Sequence, residues 1–194
     1  MTLRIAVLLS GQGTTFERLV EERAKGRLDV EFSAVISSKR GAPGLERARR
    51  HGIPAHVVAR KEMRDEREFN DALHRVLAGF LSRIELRGYN GRAMNTHPSL
   101  IPAFCGKGYY GERVHRAVLE YGAKVTGATI HYCDEQYDTG PVILQQAIDV
   151  REDDTPASLA ARVAAVEREL YPRAVQLHAQ GRLRLEGRRV RIEP

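Results

Sequence analysis

The run Leu3-Arg4-Ile5-Ala6-Val7-Leu8-Leu9, broken at once by Ser10-Gly11-Gln12-Gly13-Thr14-Thr15, constrains this chain more than any other stretch. A continuous apolar segment with β-branched members is the pattern of a strand covered on both faces in a parallel sheet. The glycine-rich turn then opens a helix, expected over residues 16–25. A second strand is expected at residues 32–36, a short helix at 44–50 stopped by His51-Gly52, and a further strand at 55–58. Strands and helices alternating at these spacings specify right-handed crossovers. The expected fold class is α/β: a Rossmann-like, mostly parallel sheet with helices on both faces and a C-terminal antiparallel and helical extension.

At 194 residues the chain has the length of one large domain with a real core. The first apolar run is short and followed by Ser-Gly rather than a cleavage site, so it does not read as a signal peptide. No run approaches the roughly 20 apolar residues of a membrane span. Cys105 and Cys133 are too few for a disulfide framework and suit a reducing compartment. A cytoplasmic protein without a membrane partner is therefore expected. The net charge of +6 comes from arginines scattered over helices and the C-terminal tail, without aromatic interleaving or a binding motif. That argues against nucleic acid and for anionic small substrates drawn in by the long-range field. His97, Cys105, His115, His131 and Cys133 fit no zinc spacing, so no metal is expected.

Chemistry concentrates in Ala93-Met94-Asn95-Thr96-His97-Pro98-Ser99-Leu100-Ile101-Pro102 and in Gln136-Tyr137-Asp138-Thr139-Gly140-Pro141. On a strand, Asn95 and His97 lie two apart and face the same side. His97 could then exchange a proton, the Asn95 amide could donate to a developing oxyanion, and Asp138 could hold the imidazole in its charged form. A second reading stands beside it: a strand-end histidine bonded to the backbone, with Asp138-Thr139-Gly140 as a simple turn. Near the amino end, Gly11 and Gly13 let the backbone approach a ligand, and helix-start amides with the Thr14 and Thr15 hydroxyls make an anion site. This loop lacks the lysine of a Walker loop and the third glycine of a dinucleotide fingerprint. Ser38-Lys39-Arg40, at the C-terminal end of the second strand, could reach a phosphate but reads first as a solvated strand end.

The string Asn95-Thr96-His97-Pro98-Ser99-Leu100-Ile101-Pro102, followed by Gly127-Ala128-Thr129-Ile130-His131-Tyr132 and Tyr137-Asp138-Thr139-Gly140-Pro141-Val142-Ile143-Leu144-Gln145, resembles the formyltransferase family that uses 10-formyltetrahydrofolate. The resemblance covers nearly the whole chain and is greatest to the branch acting on glycinamide ribonucleotide. It implies transfer of the formyl group from 10-formyltetrahydrofolate, a co-substrate, to the glycinamide amine in de novo purine (IMP) biosynthesis. It further implies that Asn95, His97 and Asp138 are the catalytic trio and that Gly13, Thr14 and Thr15 cradle the ribonucleotide phosphate. Glu167 would reach the sugar, although as a helix residue one position past the apolar stripe it also reads as an exposed carboxylate. Arg67, Leu81, Ser82, Arg83, Ile84 and Asn95 would contact folate. The implied organisation is a single domain with a ribonucleotide-binding half at about 1–95 and a folate and catalytic half at about 96–194; a homodimer is compatible with it. Two alternatives stay open: a formyltetrahydrofolate deformylase, which shares the wording of residues 127–132, and a non-catalytic ribonucleotide-binding homologue with a truncated folate pocket.

Residues 71–94 depart from the family pattern, because a helix and the buried strand expected around Val76-Leu77-Ala78-Gly79-Phe80 cannot both fit. The connection is short by about ten or more residues against ordinary lengths, so a break, a missing loop or a distorted strand is expected within residues 74–92. Further on, Asp154-Thr155-Pro156 starts a helix with a capping hydroxyl and proline at the first position. Its apolar stripe is Leu159, Val163, Val166 and Leu170, Pro172 should bend it, and residues 183–192 read as a terminal hairpin.

Overall fold

A computed structural model describes residues 2–80, 91–134 and 136–194. The chain divides into two compact units, Met1–Gly88 and Tyr89–Pro194. The division falls earlier than residue 95, which places Asn95 in the second unit with His97 and Asp138.

The first unit runs β1 (Leu3–Leu9), α1 (Thr14–Ala24), β2 (Val30–Ser37), α2 (Pro43–Arg50), β3 (Ala55–Val57), a 3-10 turn at Arg60–Glu62 and α3 (Glu66–Phe80). Its strands form a parallel sheet in the order β1-β2-β3. Every residue of β2 except Glu31 is buried, so both faces of that strand are covered. Full coverage falls on β2 rather than on β1, which is half-buried with Leu8 exposed, because β1 ends the strand order among the described residues. Leu77 of α3 packs with Ala34, Ile36 and Val58, and Phe69, Leu73 and Val76 lean on the same cluster.

The apolar segment Val76 to Phe80 is therefore helical and α3 absorbs it whole. Leu73, Val76 and Leu77 recur at helical spacing and face one core, which decides the period against a strand. The break expected within residues 74–92 falls largely on residues 81–90, outside the described residues.

The second unit runs β4 (Met94–His97), α4 (Glu112–Tyr121), β5 (Val125–Tyr132), β6 (Val142–Asp149), α5 (Pro156–Ala179), β7 (Leu183–Glu186) and β8 (Arg189–Ile192). β4, β5 and β6 form an antiparallel sheet in that order, and β7 and β8 form a separate hairpin. The α5 stripe Leu159, Val163, Val166 and Leu170 is buried against Ala128, Ile130 and Tyr132 of β5. Thr155 caps α5 by accepting from the Ser158 amide, Pro156 follows it, and the helix continues through Pro172. Leu183 and Val190 anchor the hairpin to the same core.

β5 and β6 approach so closely at Gly127 that an added Cβ would lie 2.0 Å from the Gln146 carbonyl oxygen. Backbone cannot retreat without breaking the ladder, so Gly127→Ala is expected to cost more than about 2 kcal/mol. Denaturant unfolding should show a lower midpoint for Gly127→Ala at an unchanged slope.

Candidate functional site

β4 is short because Pro98 ends it, and its pairing puts Asn95 opposite His131 and His97 opposite Thr129. The segment after it is pinned to β5 by one hydroxyl. Thr129 donates to the Ser99 carbonyl at 2.7 Å, and accepts from the Ile101 amide at 3.1 Å and the Gln145 amide group at 2.9 Å. That uses the full capacity of a threonine hydroxyl. Ser99 donates to the Ala103 carbonyl at 2.6 Å, which closes the turn that aims the Phe104 carbonyl inward.

His97 is buried, 3% exposed, between two acceptors. Its Nε2 lies 2.9 Å from the Phe104 carbonyl oxygen, so that nitrogen carries a hydrogen and donates. Its Nδ1 lies 3.4 Å from Asp138 Oδ2, a close ion-pair distance that is long for a formed hydrogen bond. The same Oδ2 accepts from the Gly106 amide at 2.9 Å. Phe104 and Asp138, the two residues facing the ring, hold φ of 50° and 58°. Left-handed backbone outside glycine is uncommon, Phe more so than Asp, and is kept where surrounding structure enforces it.

Asn95, His97 and Asp138 are thus brought together on one cavity of about 470 Å³, whose other walls include Lys107, Tyr109, Tyr110 and Tyr137. The size suits a small organic ligand. Of the two readings of His97, the backbone bond and the carboxylate partner both exist, on different ring nitrogens.

His131, named above in the string of residues 127–132 and in the metal reading but given no role in the site, lies beside Asp138. Its Nδ1 donates to the Tyr132 carbonyl at 2.9 Å, and its Nε2 lies 3.7 Å from Asp138 Oδ1 with no hydrogen-bond partner. Only the cross-strand register to Asn95 points to it. His115 of α4 is buried as well, and burial, with His97 nearby, holds its pKa below the ordinary value. Burial pushes the Cys133 thiol up to about 11 and the Cys105 thiol upward too. Among the described residues no group of three or more His, Cys, Asp or Glu side chains is arranged to hold a metal ion.

Thr96 projects opposite to Asn95 and His97 and donates to Glu167 Oε1 at 2.7 Å. Glu167 is therefore a half-buried, bonded carboxylate rather than an exposed one. Burial raises its pKa, and the Thr96 hydrogen bond and His97 oppose that rise.

In the first unit, Gly13 precedes α1 with φ of 70° and no side chain caps the helix start. α2 clamps this loop: Gly44 donates to the Gly11 carbonyl at 3.1 Å and Arg47 to the Gln12 carbonyl at 2.9 Å. A Cβ on Gly13 would fall 2.8 Å from the Gly44 Cα, so both glycines are needed for the approach. Thr14 and Thr15 stand at the open first turn. Arg40 pairs with Glu62, with Nη2 to Oε2 at 2.7 Å, in keeping with a solvated strand end. Arg67 is exposed on α3. Leu81, Ser82, Arg83 and Ile84 lie outside the described residues.

The formyl transferase family model matches residues 3–175. The chain therefore belongs to the formyl transferase family. Within it, the chain is 37% identical over 195 residues to the chloroplastic phosphoribosylglycinamide formyltransferase of Vigna unguiculata, covering 93% of this chain and 62% of that protein. It is 37% identical over 192 residues to the trifunctional purine biosynthetic protein adenosine-3 of Gallus gallus, covering 92% of this chain and 19% of that protein. The chain thus spans about a fifth of the trifunctional relative and under two thirds of the plant one. Among solved structures it resembles glycinamide ribonucleotide transformylase 1 of Symbiobacterium toebii, with a TM-score of 0.89 and 39% identity over 100% of this chain and 95% of that one.

The Glu167 geometry carries a pH test. Its folded-state pKa is raised, so its contribution is favourable below the unfolded value near 4.3 and is lost as pH rises through the folded value. Glu167→Gln keeps the shape and an acceptor for Thr96, and should raise the Tm at pH 8 but hardly at pH 4. Calorimetric scans at the two pH values check this, with about 2–4 °C expected per kcal/mol in a chain of this size.

Proposed function

We infer that this chain transfers the formyl group of 10-formyltetrahydrofolate to the amine of glycinamide ribonucleotide, as a step of purine biosynthesis. The observation that carries this reading is the convergence of Asn95, His97 and Asp138 on one cavity. The two units are read together as one formyltransferase domain, the first binding the ribonucleotide and the second carrying the chemistry. Its partners are small molecules, and a cytoplasmic location fits the low cysteine content.

The amine nitrogen attacks the formyl carbon and gives a tetrahedral oxyanion. The Asn95 amide, exposed at the cavity, donates to that oxygen, and a protonated His97 adds its charge. Protonation of His97 puts a hydrogen on Nδ1, which then donates toward Asp138 Oδ2 while Nε2 keeps the Phe104 carbonyl. Collapse of the intermediate breaks the bond to the folate nitrogen, which receives the proton that the amine gives up. Gly13, Thr14 and Thr15 hold the phosphate at the uncapped start of α1, where amides and the helix dipole favour an anion. Glu167 accepts from a sugar hydroxyl with the oxygen that Thr96 leaves available, and Arg67 serves the folate.

Purified enzyme assayed with 10-formyltetrahydrofolate should formylate glycinamide ribonucleotide far faster than water; release of formate alone would identify a deformylase, and neither product a binding protein. His97→Ala and Asp138→Asn should each lower turnover roughly 10²- to 10⁴-fold. Because they act as a unit, the double variant should lose much less than the product of the single losses, and strictly multiplicative losses would rule out the pairing.

The phosphate loop gives a separate test. Thr14→Asp sets a negative charge where the phosphate sits, and should raise the Michaelis constant for the ribonucleotide with little change in that for folate. An unchanged ribonucleotide constant would place the phosphate elsewhere.

A further inference from the structure

The loop bearing Asp138 is held from three directions. From within, the Thr139 hydroxyl donates to Asp134 Oδ1 at 2.7 Å, and Asp134 also accepts from the Gln136 amide at 3.1 Å. From below, Gly140 rests on β5 so closely that a Cβ there would lie 1.8 Å from the Tyr132 carbonyl oxygen. From outside, Arg188 Nη2 donates to the Thr139 carbonyl at 2.6 Å.

Arg188 comes from the C-terminal hairpin, in the two-residue turn between Glu186 and Arg189, whose pairing closes β7 on β8. Gly187, at φ 59°, takes the left-handed position that such a tight turn requires. Three other arginines of this region bond within it. Arg184 and Arg191 pair with Glu186 at 3.3 and 2.6 Å, and Arg182 donates to the Glu193 carbonyl at 2.7 Å. Arg188 instead reaches across 49 positions of sequence to the residue after Asp138. Its base is firm, because Leu183 and Val190 are packed into the core that also contains Tyr132.

We propose that Arg188 is a positioning residue for formyl transfer: by fixing the Thr139 carbonyl it holds the C-terminal side of the loop that bears Asp138, and so keeps that carboxylate between His97 and the Gly106 amide. The hairpin is then a working part of the site. The proposal rests on the formyltransferase reading for its kinetic consequence but not for its structural one. Asp138 must turn its backbone through the left-handed region to present both carboxylate oxygens, Oδ2 to Gly106 and His97 and Oδ1 toward His131. A charged donor on the Thr139 carbonyl holds the Thr139–Gly140 peptide, one beyond the peptide that follows Asp138, against its flipped alternative, and with Gly140 seated on β5 this fixes the end of the loop from which Asp138 projects.

Two readouts test it. The exchange rate of the Gly106 amide, which is bonded to Asp138, needs no substrate; Arg188→Ala should speed it, and Arg188→Lys should restore it in part because a point charge still reaches a carbonyl. In formyl transfer, Arg188→Ala should lower kcat roughly ten- to a hundredfold with both Michaelis constants little changed, the loss expected of a displaced group. In an Asp138→Asn background the same change should cost less than about twofold, since Arg188 acts through that carboxylate. Gly106 exchange unaltered in Arg188→Ala, or a kinetic loss repeated in full on Asp138→Asn, overturns the proposal. If the unsubstituted chain transfers no formyl group, the functional reading fails by itself and Gly106 exchange alone decides the role of Arg188.

Discussion

The second unit is organised around a half-buried carboxylate that lies beside two imidazoles and opens on a cavity. Asp138 keeps that position because its Oδ2 accepts from a backbone amide and because its own backbone takes a conformation few residues tolerate. Other features serve that placement. Gly140 lets the loop lie flat on β5, Thr129 secures the segment that supplies Phe104 and Gly106, and the sheet register brings His131 to the other oxygen.

The placement of His97 follows from the same economy of donors and acceptors. A ring with one nitrogen committed to a carbonyl has a single nitrogen left for chemistry, and here that nitrogen faces Asp138. The Phe104 carbonyl therefore selects the tautomer. In the first unit the corresponding economy is steric. Two glycines in contact let a loop and a helix start approach each other, and Arg47 then ties the loop carbonyl down.

Much of this was legible in the residues. The α5 cap at Thr155-Pro156, its apolar stripe, the terminal hairpin and the shared face of Asn95 and His97 follow from local rules of capping and period, and each appears as expected. What escaped depends on contacts between distant positions. His131 becomes a neighbour of Asp138 only through the pairing with Asn95, and no spacing rule predicts that register. The Phe104 carbonyl is backbone, invisible to any reading of side chains. Residues 76–80 carry a short apolar run whose period is ambiguous in isolation, and the core residues Ala34 and Ile36 decide it in favour of helix. Glu167 looked like a surface carboxylate because the hydroxyl that binds it, on Thr96, lies 71 positions away.

β4 is only four residues long, yet its two faces answer to different partners: Asn95 and His97 look into the cavity, and Thr96 looks to α5. A shift of one residue along β5 would exchange those faces completely. A one-residue insertion or deletion in this strand therefore cannot adjust the chemistry by degrees, since it turns the reacting groups and the Glu167 contact away together. Variation has room instead in the segment from Lys107 to Gly111, which lines the same cavity and lies outside every ladder. There, length and side chains can change while the register that aims Asn95 and His97 stays as it is.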